Sequence, residues 1–295
     1  TTLFRSNNTS VANNQLGIQG TQVTLTSQNL LNVSGNMIGN TNVRLTASGL
    51  VDNTTGLISA GQTLTLTDSA ASPTLAIINT GGTLLAGSSL ALKAASVSGD
   101  GSVLSRGDMT MTLSADLVNS GRLIANQNFT LTSRAGLINS GSLQAGNTLT
   151  VNVQNLENQV SGVISGTSTI LTVANTLTNR GVIDGATTWL TANTINNIGT
   201  GRIYGDQLSI QAVELNNKTE NNRAATIAAR VRMDLGVGTL VNEIGGLIFS
   251  AGDLFVGGSL DSSGRAIGSA ARRDGRRQLG LAVRRDRDRP RQGPG

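Results

Sequence analysis

The sequence predicts an all-β protein, a right-handed parallel β-helix of about twelve coils of ~20 residues each. Three observations carry that prediction. A short motif of an aliphatic pair, Asn, a Gly/Ser turn, a second aliphatic pair and an alternating strand recurs along the chain. Val, Ile, Leu and Thr alternate at period two in pieces such as Val23-Thr24-Leu25-Thr26, Leu64-Thr65-Leu66-Thr67 and Leu208-Ser209-Ile210, the pattern of a strand with one buried face. No longer stretch keeps a helical period without an interrupting Gly or Asn.

The motif reads cleanly as Leu117-Val118-Asn119-Ser120-Gly121-Arg122-Leu123-Ile124-Ala125 and again as Leu137-Ile138-Asn139-Ser140-Gly141-Ser142-Leu143-Gln144-Ala145. Aligned on its asparagine, it falls at Asn13, Asn32, Asn53, Asn79, Gly99 in place of Asn, Asn119, Asn139, Asn158, Asn179, Asn197, Asn217 and Asn242. Antiparallel hairpins would call for Asn-Gly or Asp-Gly turns, and only Asp100-Gly101, Asp184-Gly185 and Asp274-Gly275 supply them. Stacked coils explain the return of one residue type to one position. Aliphatic side chains fill the shaft, and the asparagines form a hydrogen-bonded structural ladder. Right-handedness follows the usual crossover preference. The rod would be on the order of 55–60 Å long at one strand spacing per coil.

Two coils are longer than the rest. One contains Asp68-Ser69-Ala70-Ala71-Ser72-Pro73 and the other Lys218-Thr219-Glu220-Asn221-Asn222-Arg223. Both read as surface loops on the outside of the solenoid. The shaft spans residues 1–270, and residues 271–295 read as an Arg-rich disordered tail. The division shows in the charge. Residues 1–270 hold 13 Lys+Arg against 14 Asp+Glu, and the tail holds nine Arg against three Asp, so the tail carries the basic pI of 10.9. An out-of-frame extension of a GC-rich gene accounts best for that tail, ahead of a disordered functional segment or a nucleic-acid-binding arm.

Composition removes whole classes of chemistry. There is no His and no Cys, which excludes imidazole acid–base catalysis, His/Cys metal sites, thiol nucleophiles and disulfides. Aromatic residues make up 2% of the chain, so stacking platforms for bases or sugars are scarce. Acids come at roughly one per coil, too dispersed for a glycosidase pair. Asp184 and Asp206 follow aliphatic pairs in adjacent coils and form the nearest approach to a dyad, but a solvated turn acid is the better account of each. Gly81-Gly82 and Gly257-Gly258 lack the Gly-x-Asp of a calcium repeat, and Gly236-Val237-Gly238 lacks the residues of a phosphate loop. Trp189 and Tyr204 read as ordinary solenoid residues. No catalytic residue, metal or cofactor is expected. No apolar run is long enough to span a membrane.

Asn221-Asn222-Arg223-Ala224-Ala225-Thr226-Ile227-Ala228-Ala229-Arg230, with Gly236 to Glu243 and Leu247 to Leu254, resembles a recurring signature of the filamentous haemagglutinin repeat. The coils from Asn13 to Asn217 resemble the shorter, more generic repeats of the same exoproteins, and the resemblance covers about residues 10–270. It implies a non-catalytic shaft segment of a secreted adhesin on a Gram-negative surface, or the stick of a contact-dependent growth-inhibition toxin or haemolysin. It implies an outer-membrane two-partner secretion transporter as partner, acting through an amino-terminal domain not found in this sequence, and a cell-surface receptor that it does not name. Nucleic acid is not among the partners it implies. The chain is expected to be a piece of a longer protein whose strand edges neighbouring coils cap.

Overall fold

The computed structural model describes residues 3–5, 17–268 and 281–283. Among them every regular element is a strand. The strands stack in parallel as a β-solenoid of about 12 turns.

One coil shows the plan. Leu117–Asn119, Arg122–Ala125 and Phe129–Ser133 are three short strands separated by tight corners. The next coil lays Gly136–Asn139, Ser142–Ala145 and Thr148–Val153 on them in parallel, with Leu117 opposite Leu137, Leu123 opposite Leu143 and Phe129 opposite Leu149. Repetition gives three ranks of strands, here called the asparagine, middle and threonine ranks. Longer strands such as Asn36–Asp52, Thr187–Ile198, Arg202–Glu220 and Thr226–Asn242 run through the corners and join the ranks into one sheet.

The two-residue side-chain period builds the core. In Phe129–Ser133 the first, third and fifth residues are buried and the two threonines between them are not. Stacking turns each inward position into a column. Leu123, Leu143, Ile164, Ile183, Ile203, Ile227 and Ile248 are mutual neighbours coil by coil, and all are buried. Each coil therefore buries apolar surface only against its neighbours, as in other solenoids.

The two long coils depart from the plan differently. Asp68–Pro73 is an irregular loop, as expected. The second is not a plain loop. Thr219 and Glu220 pair antiparallel with Ala224 and Arg223, which makes a β-hairpin. Its two turn residues, Asn221 and Asn222, have φ of 49° and 58°. Both central residues of a tight hairpin turn need positive φ, and asparagine tolerates it better than most residues. The Asn-Asn pair was thus a hairpin signal that a search for Asn-Gly and Asp-Gly alone passes over.

After Gly257 the chain leaves the coil path. Ser259–Leu260 and Ala266–Ile267 form a second antiparallel hairpin, which lies on the outside of the shaft. Within the tail, Leu281–Val283 is a strand that pairs with Ile248–Ser250. Elsewhere the tail lies outside the described residues.

Phe129 is the largest of the fully buried side chains. We expect Phe129→Ala to cost about 3–5 kcal/mol in urea unfolding. An unchanged midpoint would contradict the stacked core.

Candidate functional site

The ladder asparagines from Asn32 to Asn217 are buried at the corner that ends the asparagine rank, and Asn242 is half-buried there. Asn32 donates through Nδ2 to Asn53 Oδ1 at 2.7 Å, and Asn53 to Asn79 at 2.8 Å. A second run begins at Asn119, which donates to Asn139 at 2.7 Å. It continues through Asn158, Asn179, Asn197 and Asn217 to Asn242, with every link between 2.7 and 2.9 Å. Each amide also serves the corner itself. Asn158 Nδ2 reaches Gly162 O at 3.1 Å in its own coil and Val182 O at 3.2 Å in the middle rank of the next coil. A buried primary amide thereby uses both its donors and its acceptor. Asn13 lies outside the described residues.

Gly99 splits the ladder. Its φ is +105°, and an added Cβ would lie 2.5 Å from Thr80 N. Asn79 turns its Nδ2 to Ser102 O at 3.1 Å, and Asn119 Oδ1 accepts from Gly121 N at 3.2 Å, so both sides of the gap stay satisfied. The strand Ser96–Ser98 pairs with Ala76–Ile78 below it, but no pairing joins it to Leu117–Asn119 among the described residues. At the amino-terminal end Asn32 Oδ1 is buried without a partner.

The glycine of each corner follows from the same packing. At Gly82 a Cβ would sit 2.0 Å from Asn53 O and 2.6 Å from Asn79 Oδ1, so only hydrogen fits between stacked corners.

Several acids tie one coil to another. Asp100 Oδ1 accepts from Gly81 N at 2.8 Å, Asp116 Oδ1 from Gly136 N, and Asp108 Oδ1 from Asn128 N at 3.0 Å. Asp68 organises the long loop. Its carboxylate accepts from Ala70 N at 2.8 Å, Thr74 N at 2.7 Å and Leu75 N at 3.1 Å while only 2% exposed. These backbone donors, Ala70 first, hold its pKa below the ordinary value against the opposing effect of burial.

Glu220 secures the hairpin. Arg180 grips it through Nε at 2.8 Å and a second nitrogen at 3.0 Å, a bidentate contact that lowers the Glu220 pKa and raises that of Arg180. Glu157 stands 3.8 Å from the same guanidinium. Asp184 and Asp206 do not form a dyad. Asp206 is paired with Arg230, while Asp184 Oδ1 accepts from Gly185 N at 2.8 Å. Register keeps them apart, because Ile183 aligns with Ile203 and this places Asp184 beside Tyr204. Asp184 and Arg230 edge a shallow, open groove of about 330 Å³ floored by Gly146, Gly166 and Gly185. No cluster of His, Cys, Asp or Glu suited to a metal occurs among the described residues.

Outward positions of the threonine rank form straight columns. Thr65, Ala91, Thr110, Thr130, Thr150, Ile170 and Trp189 align in successive coils, as do Thr67, Lys93, Thr112, Thr132, Asn152, Thr172 and Thr191. Farther along, the same outer face is covered by the carboxy-terminal hairpin. Ser209 Oγ donates to Gly264 O at 2.9 Å, Gln211 Oε1 accepts from Leu260 N at 2.6 Å, and Asp234 Oδ1 accepts from Ala266 N at 3.0 Å. Arg232 grips Asp234 and lies 4.0 Å over the Phe255 ring. The sequence analysis passed over this docking. Its one local signal was Asp261-Ser262-Ser263-Gly264, a turn in which Asp261 caps Ser263 N at 2.9 Å.

The haemagglutinin-repeat family model matches the chain twice, over residues 2–68 and 51–133. Residues 2–133 are filamentous haemagglutinin-type repeats. Both haemagglutinin-repeat matches fall on the short coils, and the stretch from Asn221 to Leu254, taken from sequence as the more specific, lies outside them. The matched coils include the Asp68–Pro73 loop and the Gly99 gap, whereas the later stretch holds the turn at Asn221 and Asn222. No curated protein and no solved structure matches the chain. No helix of the described residues is long and apolar enough to cross a membrane.

Two outcomes test this account of the haemagglutinin-repeat corners. Asn158→Ala strips Asn179 Oδ1 of its ladder donor and Asn139 Nδ2 of its ladder acceptor, at about 1–3 kcal/mol for each buried group left unpaired. Asn119→Ala, beside the gap, strips Asn139 Oδ1 of its ladder donor and Gly121 N of its acceptor, so its urea midpoint should fall by a comparable amount. Equal midpoints for both variants and the parent would rule the ladder out as a source of stability. Asp68 has a depressed folded pKa, so its contribution is present above the ordinary carboxylate range and is lost as pH falls through the folded value. Asp68→Asn should therefore be destabilised at neutral pH, with the gap to the parent closing in acid. A gap that persists unchanged at the lowest pH at which both fold would contradict the role given to that carboxylate.

Proposed function

We propose that the chain is a non-catalytic shaft segment of a secreted filamentous haemagglutinin-like adhesin, displayed at a Gram-negative cell surface. The observation that carries this reading is the haemagglutinin-repeat match lying on a solenoid of stacked coils. The fate of the acids supports the non-catalytic part. Carboxylates that an active site would need to converge are engaged instead with backbone N–H groups and arginines along the rod. The work of such a segment is mechanical. Stacked coils hold whatever the rest of the protein carries at a distance from the cell, and their outer ranks offer a long repetitive surface.

Export would run through an outer-membrane two-partner secretion transporter, engaged by an amino-terminal secretion domain. A parallel solenoid suits that route, because each coil needs only the coil before it as a template and can fold as it emerges. The receptor would lie on a host or neighbouring cell.

The test is to fuse residues 1–270 behind such a secretion domain and co-express its transporter. We expect the fusion to reach the cell surface, to be digested by protease added outside, and to raise adhesion of the carrier bacteria over cells displaying the secretion domain alone. A fusion that is exported yet leaves adhesion unchanged would reject the adhesive role. Turnover of any member of a polysaccharide panel by the purified chain would reject the non-catalytic one.

A further inference from the structure

The threonine rank presents an outer face with a regularity that the shaft itself does not require. Core packing demands apolar residues inward, but the outward positions of this rank are free to vary. Yet over the seven coils from Thr65 to Trp189 those positions are filled mainly by threonine and other small uncharged residues. The pairings along this stretch run in register without a shift, so the columns are straight.

Only two charged residues stand on those strands, and both are held by the shaft. Lys93 Nζ donates to Ala70 O of the long loop at 2.8 Å. Asp108 Oδ1 accepts from Asn128 N at 3.0 Å and from Asn128 Nδ2 at 2.9 Å. What is left is a lattice of hydroxyl and methyl groups, repeating at about one strand spacing along the rod and two residues across it.

We infer that this face is an interface through which two copies of the shaft pair side by side. Three considerations select a second copy as the occupant. The first is repeat length. A partner that meets every row must itself repeat at about 4.8 Å, and another β-solenoid does so by construction. Facing rows of β-branched residues can then interdigitate, with hydroxyls bonding across the interface as threonine pairs do within a sheet. The second is area. The hairpin already reaches the Trp189 row, where a Cβ on Gly264 would lie 3.2 Å from the Trp189 ring. Six rows by a six-residue strand span about 29 Å by 20 Å, which buries about 1,100–1,200 Å² in total, above the ~1,000 Å² that a specific interface needs. The third is continuity. From Trp189 onward the same outer face is already occupied by β structure of this chain, the hairpin Ser259–Ile267, held through Ser209 and Gln211. The face thus demonstrably accepts a docked β element, and the open rows are the part the hairpin leaves free.

Hydroxyl contacts make the pairing weak for one short segment. In a longer shaft the same rows recur, and simultaneous engagement multiplies the weak contacts into avidity.

Sedimentation velocity on the full chain over a concentration series tests the inference. The parent should shift toward twice its monomer mass as concentration rises, with little dependence on salt. Thr65→Lys, Thr110→Lys and Thr150→Lys together place three charges on alternate coils of the face, none stacked on another and none touching the core, and this variant should stay monomeric with an unchanged thermal melt. Ser102→Glu with Ser142→Glu, which flank Arg122, puts charges on the middle rank instead and should pair like the parent. If the triple variant loses its fold, Thr130→Lys alone supplies the comparison and should weaken association at least tenfold. A parent that is monomeric throughout overturns the inference. So does association that survives the threonine-face charges, which would assign it to the strand edges at the ends of the rod. A monomer that sediments with insoluble crystalline polysaccharide overturns it as well, and assigns the face to a carbohydrate lattice.

Discussion

Coils that lie one strand spacing apart, with nothing between them, are the constraint on which the whole shaft depends. At that distance each side chain meets its own counterpart in the coils above and below. A residue type is then admissible only if it packs well against itself. Leucine and isoleucine pass that test in the core columns, threonine passes it on the outside, and asparagine passes it at the corner because its amide is both donor and acceptor. Charged residues fail it, since stacking one on another sets like charges side by side. The near-neutral body of the chain and its scattered acids are products of that exclusion, not evidence about a ligand.

Self-stacking also explains which parts of the fold were legible in the sequence. The period, the inward columns and the asparagine positions could be read because each is a local rule repeated many times. Asn119, Asn139 and Asn158 reinforce one another as evidence even though each alone says little. Features that occur once were read poorly. The Asn221–Asn222 turn was taken for a loop, because positive φ at asparagine leaves a fainter trace than an Asn-Gly pair. The hairpin Ser259–Ile267 was invisible, because it is held by Ser209, Gln211 and Asp234, whose roles there depend on a tertiary approach. Asp184 and Asp206 were placed too close, because Ile183 pairs with Ile203 and Thr187 with Gln207 at one constant offset, which sets Asp184 opposite Tyr204 and leaves Asp206 two positions farther along.

The gap at Gly99 shows how the repeat tolerates an exception. Losing one rung leaves the neighbouring amides with backbone partners, so no buried group is orphaned there. The asparagine rank nevertheless loses its pairing at the same level, while the middle and threonine ranks pass through unbroken. Cohesion between successive coils is therefore not uniform along the rod. In a structure whose stability is close to a sum of nearest-neighbour terms, such a level marks where the cooperative unit divides.

The ladder has a direction. In both of its runs Nδ2 of one asparagine points to Oδ1 of the next asparagine in sequence, never the reverse. The side-chain amide dipoles thus add along the axis, and a rod with almost no net charge has an electrically distinct head and tail. Each completed corner also leaves an N–H reaching forward for the carbonyl of a coil not yet laid down. Growth from the amino-terminal end meets a waiting donor at every step, so the order in which a chain threads out of a pore and the order in which its corners close are the same.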